Sequence, residues 1–285
     1  FSSDPQKVEK GLDKLGIHEG LGMHAIATKG QRVLAQDLQR RKKVPPKSIQ
    51  VCDNFAVFQE KLSAHFKDAK EGEKKLFLVR HRNHPKSLTR HTSPVFVWKH
   101  EGKFQLYLVD SGGGQKATNV IHDTLRSIQA SNPPKGSEIH YDGGPGRLTD
   151  GNNCVILSFK EGVRMLRETE TIDGWVRDHR EQKGEGLFAI THLPPQFANL
   201  AQTFTYLRKY QDETGIDPLG ERAKKHVYTG TDPKSTQEKP FNGKVAHTYL
   251  KFERRIIADC IANATEIREA NFKKASLFTF LTPEG

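Results

Sequence analysis

Cysteine is scarce in this sequence. It has three, Cys52, Cys154 and Cys260, odd in number and widely spaced. That argues against a disulfide framework and for a reducing compartment. No CxxC or HxxxH pair is present, so no metal site is expected. Long apolar runs are missing too: nothing approaches the ~18 residues of a membrane-spanning helix. The opening FSSDPQKVEK has neither the apolar stretch of a secretory signal nor the character of a basic transit segment. It starts on Phe rather than Met, and we expect a trimmed N-terminus whose address signal lies outside this sequence. No internal repeat is visible. Apolar residues are only 35%, yet 16 Phe, 6 Tyr and 2 Trp in 285 residues can seed a core, which excludes a wholly disordered chain. Acidic residues are outnumbered: 45 Lys and Arg face 34 Asp and Glu, a net charge of +11. Such a balance predicts a polyanionic partner: nucleic acid, an acidic membrane surface or a phosphorylated small molecule. For any single Lys or Arg, a solvated surface position is the competing reading.

The pattern along the chain predicts mixed α+β content. Residues 5–45 read as helical, with Leu12, Leu15, Leu34 and Leu38 spaced as on a helix and Arg40, Arg41, Lys42 and Lys43 at the basic end, before Pro45-Pro46. Residues 51–70 read as a helix with Phe55, Phe58, Leu62 and Phe66 on one stripe. LFLV at 76–79 reads as a buried strand, followed by a basic loop at 80–90. SPVFVWKH (93–100) and KFQLYLVD (103–110) flank Glu101-Gly102, a two-residue hairpin turn. A helix is expected over 119–130, a Gly/Pro/Asn-rich loop over 131–153 and a helix from Asn153 carrying Ile156, Phe159, Val163 and Leu166. Residues 170–186 read as polar and exposed, and 193–210 as a turn that becomes a helix. A loop covers 212–243, and a basic amphipathic helix covers 248–264.

The chemistry starts at the hairpin. A two-residue turn at Glu101-Gly102 pairs His100 with Lys103 and sets His91 opposite Gly112. Asp110 is then a diagonal neighbour of His91 on the same face, ~7–8 Å apart at Cβ, within reach of a His–carboxylate contact. A surface His and a strand-end Asp that merely match in register are the competing reading. Cys154 opens a helix, just after Gly151, Asn152 and Asn153. A helix start and a neighbouring imidazolium both favour a thiolate. A lone Cys is more often a buried apolar group, and Cys52 and Cys260 fit that reading. Together His91, Asp110 and Cys154 make a candidate triad of base, orienter and nucleophile.

These residues resemble the YopJ family of bacterial type III effectors, acetyltransferases built like cysteine proteases. His91 opens one strand, an acid follows 19 residues later, and the cysteine follows 44 residues after that, spacings like the family's. LPPQFANLAQTFTYLRKY is similar to the family's LPxxFYKHxQ segment, keeping Leu193, Pro194, Phe197 and Gln202, and KFERRII at 251–257 is similar to its basic C-terminal segment. The resemblance runs over about residues 50–260. It departs in having Asp110 where Glu is common, Val155 where Gly is common, and Asn199 where the family carries an acetylated lysine.

The resemblance implies an α+β, cysteine-protease-like core with a small antiparallel sheet between helices, and a helical regulatory lobe from the flanks. The expected division is 1–50 regulatory helices, 51–210 catalytic core and 211–285 C-terminal regulatory segment. It implies acetyl transfer from acetyl-CoA through an acetyl-cysteine to Lys, Ser or Thr of a host protein, activated by inositol hexakisphosphate (IP6). It also implies secretion into a host cell. The polyanion would be held by Arg40, Arg41, Lys224, Lys225, His226, Lys251, Arg254 and Arg255. A triad alone does not separate acyl transfer from proteolysis, so a ubiquitin-like-modifier protease is the alternative. A basic nucleic-acid-binding module rests on charge alone, and nucleic acid is not required by the first reading.

Overall fold

The computed structural model describes residues 28–41, 43–82, 90–112, 114–147, 154–201, 204–219, 228–231 and 238–241. Leu12, Leu15, Lys42, Lys224, Lys225, His226, Lys251, Arg254, Arg255, Cys260 and the 248–264 helix lie outside the described residues.

A seven-stranded sheet lies between two layers of helix. Its strands are β1 (Ile49–Cys52), β2 (Lys74–Arg82), β3 (Arg90–His100), β4 (Lys103–Leu108), β5 (Glu138–Asp142), β6 (Arg180–Gly184) and β7 (Leu187–Ile190), in the order β1-β2-β3-β4-β5-β7-β6. The β2–β3–β4 meander is antiparallel, while β1 on β2, β5 on β4 and β7 on β5 are parallel. The sheet is therefore mixed, and wider than the hairpin alone suggested. The β3–β4 register runs from His100↔Lys103 to Val95↔Leu108, as the two-residue turn requires. Glu101 and Gly102 have φ of 53° and 74°, the left-handed pair that such a turn needs.

One face carries α2 (Phe55–Asp68) and α3 (Gly114–Ala130), burying Phe58, Leu62, Ile121 and Ile128 against Val95, Val97, Leu106 and Leu108. The other carries α1 (Thr28–Arg40), α4 (Cys154–Arg167) and α5 (Thr169–Asp178), with Leu34, Leu157, Phe159 and Ile172 against Phe96, Trp98 and Tyr107. Both faces of β3 are covered, which is why its sequence reads as an unbroken apolar run. The helices α6 (Pro195–Ala198) and α7 (Phe204–Thr214) follow, and β8 (Tyr228–Thr231) pairs with β9 (Glu238–Phe241) as a separate hairpin.

Several boundaries differ from the sequence reading. The helix expected over 51–70 begins at Phe55, because 49–52 join the sheet as β1. The 131–153 segment holds β5, and 170–186 holds α5, whose Ile172 and Val176 are buried, and β6. Arg80, His81, Arg82 and Arg90 belong to strands rather than to a loop. The 193–210 segment holds two helices rather than one.

Candidate active site

One end of the sheet gathers the start of β3, the end of β4 and the first turn of α4. Continuing the β3–β4 register past Val95↔Leu108 sets Ser93 opposite Asp110 and His91 diagonal to it. The side chains meet accordingly. His91 Nε2 lies 2.6 Å from Asp110 Oδ2, and the Ser93 hydroxyl donates to the same oxygen. The Gly112 N–H donates to Oδ1 at 2.8 Å. Asp110 is fully buried. Burial alone would push its carboxyl up, but His91 and these hydrogen bonds hold it down at about 2. For His91 burial acts downward, yet the Asp110 charge, the bond to Asp110 and a hydrogen bond with the Cys154 thiol raise it well above the usual imidazole range. With Nε2 committed to Asp110, Nδ1 is the nitrogen left for the thiol.

Cys154 is the first residue of α4 and is 5% exposed. The free N–H groups and dipole of a helix start favour negative charge there. So the structure brings together a thiol, an imidazole and a buried carboxylate, the parts of an acyl-transfer centre with its own base.

Three neighbours escaped the sequence reading. Ser93 shares the face of His91 and Asp110, and the hairpin register alone could have found it. His81 stands opposite His91 on β2, with ring centroids 5.9 Å apart. It is buried, neither of its ring nitrogens has a hydrogen-bond partner among the described residues, and burial first, then the charge on His91, brings it down to about 3. His81 is therefore a neutral wall beside the charged ring. Arg147 is buried between Asp142 and Glu161. Asp142, a second buried acid, is thus committed to Arg147 at 2.7 Å.

The remaining candidates among the described residues have other partners or surroundings. Arg40 and Arg41 both pair with the buried Asp37, at 3.0 Å and 2.9 Å, and Arg40 remains half exposed. Their charge is partly answered within the chain. Asn199 ends α6, and its side-chain oxygen accepts from Arg164 Nη1 at 3.0 Å. Arg164 is ten residues along α4 from Cys154, about 15 Å of helix axis. Cys52 is buried on β1, where burial first and Asp53 second push its thiol up to about 12, so it stays an inert thiol. Among the described residues no group of three or more His, Cys, Asp and Glu is placed to hold a metal ion. Nor is any described helix long and apolar enough to cross a membrane.

No protein-family model matches the chain, and no curated protein does. Solved structures do. The chain is similar to a variant of AvrA solved with IP6 and CoA, at a TM-score of 0.58 and 13% identity, over 92% of this chain and 99% of that one. It is similar to HopZ1a in complex with IP6 and CoA, at a TM-score of 0.58 and 11% identity, over 89% and 98% of the two chains. HopZ1a in complex with IP6 gives a TM-score of 0.56 at 11% identity, over 90% and 93%. AvrA and HopZ1a are effectors of the YopJ family, and the chain has their fold. The fold expected from the resemblance is thus the fold these structures share with the chain.

Proposed function

We propose that this chain is an acetyltransferase that moves an acetyl group from acetyl-CoA through Cys154 to a hydroxyl or amine of a host protein. The observation that carries the reading is the His91–Asp110 pair at 2.6 Å, with Cys154 at a helix start among the groups that raise His91. The fold shared with effectors solved holding CoA favours acetyl-CoA as the donor. In the first half-reaction the Cys154 sulfur attacks the thioester carbonyl, and His91 holds the thiol proton. The carbonyl–sulfur bond to CoA breaks, the acetyl-cysteine forms, and His91 returns the proton to the departing CoA sulfur. In the second, His91 takes the proton of an acceptor Ser, Thr or Lys side chain. The acceptor attacks the acetyl carbon, and the proton returns to Cys154. Asp110, fixed by Ser93 and Gly112, keeps the imidazole oriented and stabilises its charged form. Backbone N–H groups at the α4 start are suited to the oxyanion.

IP6 would be the activator, held by converging cations of the two flanks: Arg40 and Arg41 with Lys224, Lys225, His226, Lys251, Arg254 and Arg255. The pairing of Arg40 and Arg41 with Asp37 leaves Arg40 half exposed, compatible with sharing that arginine with a phosphate. The division into 1–50, 51–210 and 211–285 belongs to the same proposal, with 28–50 packed onto the sheet through α1 and β1. Secretion into the host cell goes with it.

The test is incubation of the protein with labelled acetyl-CoA, with and without IP6, followed by peptide mapping. Label on Cys154 that rises with IP6 supports the reading. Cleavage of a ubiquitin-like modifier with no CoA-dependent label would replace it with the protease alternative.

A further inference from the structure

Cys154 is placed by a helix, so whatever fixes that helix lengthwise is part of the site. Two ties do this. One turn after Cys154, the Ser158 hydroxyl donates to the carbonyl oxygen of Thr92 at 2.8 Å, next to His91. The second tie runs through Arg147, which is 1% exposed. Its backbone N–H donates to the Ser111 carbonyl at 3.0 Å, next to Asp110. Its Nη1 donates to Asp142 Oδ2 at the end of β5, and its Nη2 to Glu161 Oε1 on α4, both at 2.7 Å. Asp142 Oδ1 in turn accepts the N–H of Gly144 at 2.9 Å. Glu161 lies two turns after Cys154, so Cys154, Ser158 and Glu161 share one stripe of the helix.

Burying a guanidinium with two carboxylates is a poor way to gain stability, because desolvation offsets most of the attraction. Burial accordingly pushes Glu161 up to about 7 even against the pull of Arg147. What the cluster does supply is geometry. A guanidinium directs two N–H groups at a fixed angle in one plane, which the point charge of a lysine does not.

We propose that Arg147 is a positioning residue: its fork locks α4 to the end of β5, on a residue whose backbone is tied to the segment after β4, so that the Cys154 thiol stands against His91. The inference rests on Cys154 being the nucleophile of the proposed function. Three readouts on the full chain test it: acetyl-transfer kinetics, the titration midpoint of the His91 ring by NMR, and the melting temperature. Cys154→Ala serves as reference, since removing the thiol removes one of the contacts that hold His91 in its charged form. Arg147→Lys should lower kcat by about 10²-fold, the scale expected from an ångström of misplacement, with KM for acetyl-CoA unchanged. Its His91 midpoint should fall toward that of Cys154→Ala. Because a lone lysine could unfold the cluster, a second variant combines Arg147→Met, Asp142→Asn and Glu161→Leu. It should melt no lower than wild type, because an uncharged replacement removes the desolvation cost of the buried charges, and show the same two losses. A folded variant with wild-type kcat and wild-type His91 midpoint overturns the inference. So does unfolding of both variants, because the cluster would then hold the fold rather than the thiol. If Cys154→Ala leaves the His91 midpoint unmoved, the nucleophile reading falls first, and this one with it.

Discussion

Asp110 spends its lone pairs on His91, Ser93 and Gly112, and such a carboxylate orients a neighbour rather than moving protons itself. Losses should therefore be graded. Cys154→Ala should cost several orders of magnitude in acetyl transfer with the melting temperature retained. His91→Ala should cost nearly as much, since it removes the base of both half-reactions, and Asp110→Ala less; label counts on the acceptor check all three. Asp142 cannot relieve Asp110→Ala, because Arg147 holds it. The same contacts fix a pH dependence of stability. Asp110 titrates lower in the folded chain than unfolded, so its contribution is present above ~4 and lost as pH falls through about 2. His91 titrates higher when folded, so its contribution is full below ~6.5 and fades as pH rises through its raised folded value. Urea midpoints between pH 5 and 2 should fall more steeply for wild type than for His91→Ala, which lacks the partner that depresses Asp110; equal slopes would contradict the pairing. At this scale the hairpin register made His91 and Asp110 legible in the sequence, because one turn fixes every pair after it. Arg147 was not legible: its partners come from β5 and from α4, and no local period links them.

The element that carries the thiol, α4, lies flat on the sheet at Gly162. A Cβ there would sit 2.2 Å from a Leu76 methyl carbon, so only a residue without one allows this approach. Gly162→Ala should destabilise by about 1–3 kcal/mol through overpacking. A lowered melting temperature, partly restored by Leu76→Ala in the same chain, is the expected outcome; an unchanged one would mean α4 can shift without cost. Elements with strong periods were readable: the Phe58–Leu62–Phe66 stripe of α2 and the apolar run of β3 both appear where the sequence puts them. Among the misses are two short parallel strands, β1 and β5. IQVC has four residues, and EIHYD carries charge at both ends and a buried His140 that stacks between Tyr107 and Phe188. Their strand character comes from neighbours across the sheet, which a local window does not contain. In α5 two apolar residues four apart, Ile172 and Val176, carry the buried face, too few to stand out from the polar residues around them.

Over the whole molecule, a net charge of +11 asks for a polyanion, and the neighbours in fold were solved with IP6. Saturating IP6 should raise the melting temperature, because a ligand selective for the native state stabilises it by mass action. Added salt should shrink the shift, and the double variant Arg254→Ala with Arg255→Ala should shrink it further. No shift at saturation would leave the charge to another partner. The reading as a whole stands on Cys154 carrying the acetyl group, and one measurement reaches it most directly. The protein is incubated with acetyl-CoA and IP6 in the absence of acceptor, quenched in acid to preserve thioesters, and mapped by mass spectrometry. A thioester-linked acetyl group on Cys154, absent from Cys154→Ala and from His91→Ala, is the predicted result. Free CoA release and acceptor acetylation that persist in Cys154→Ala would contradict it.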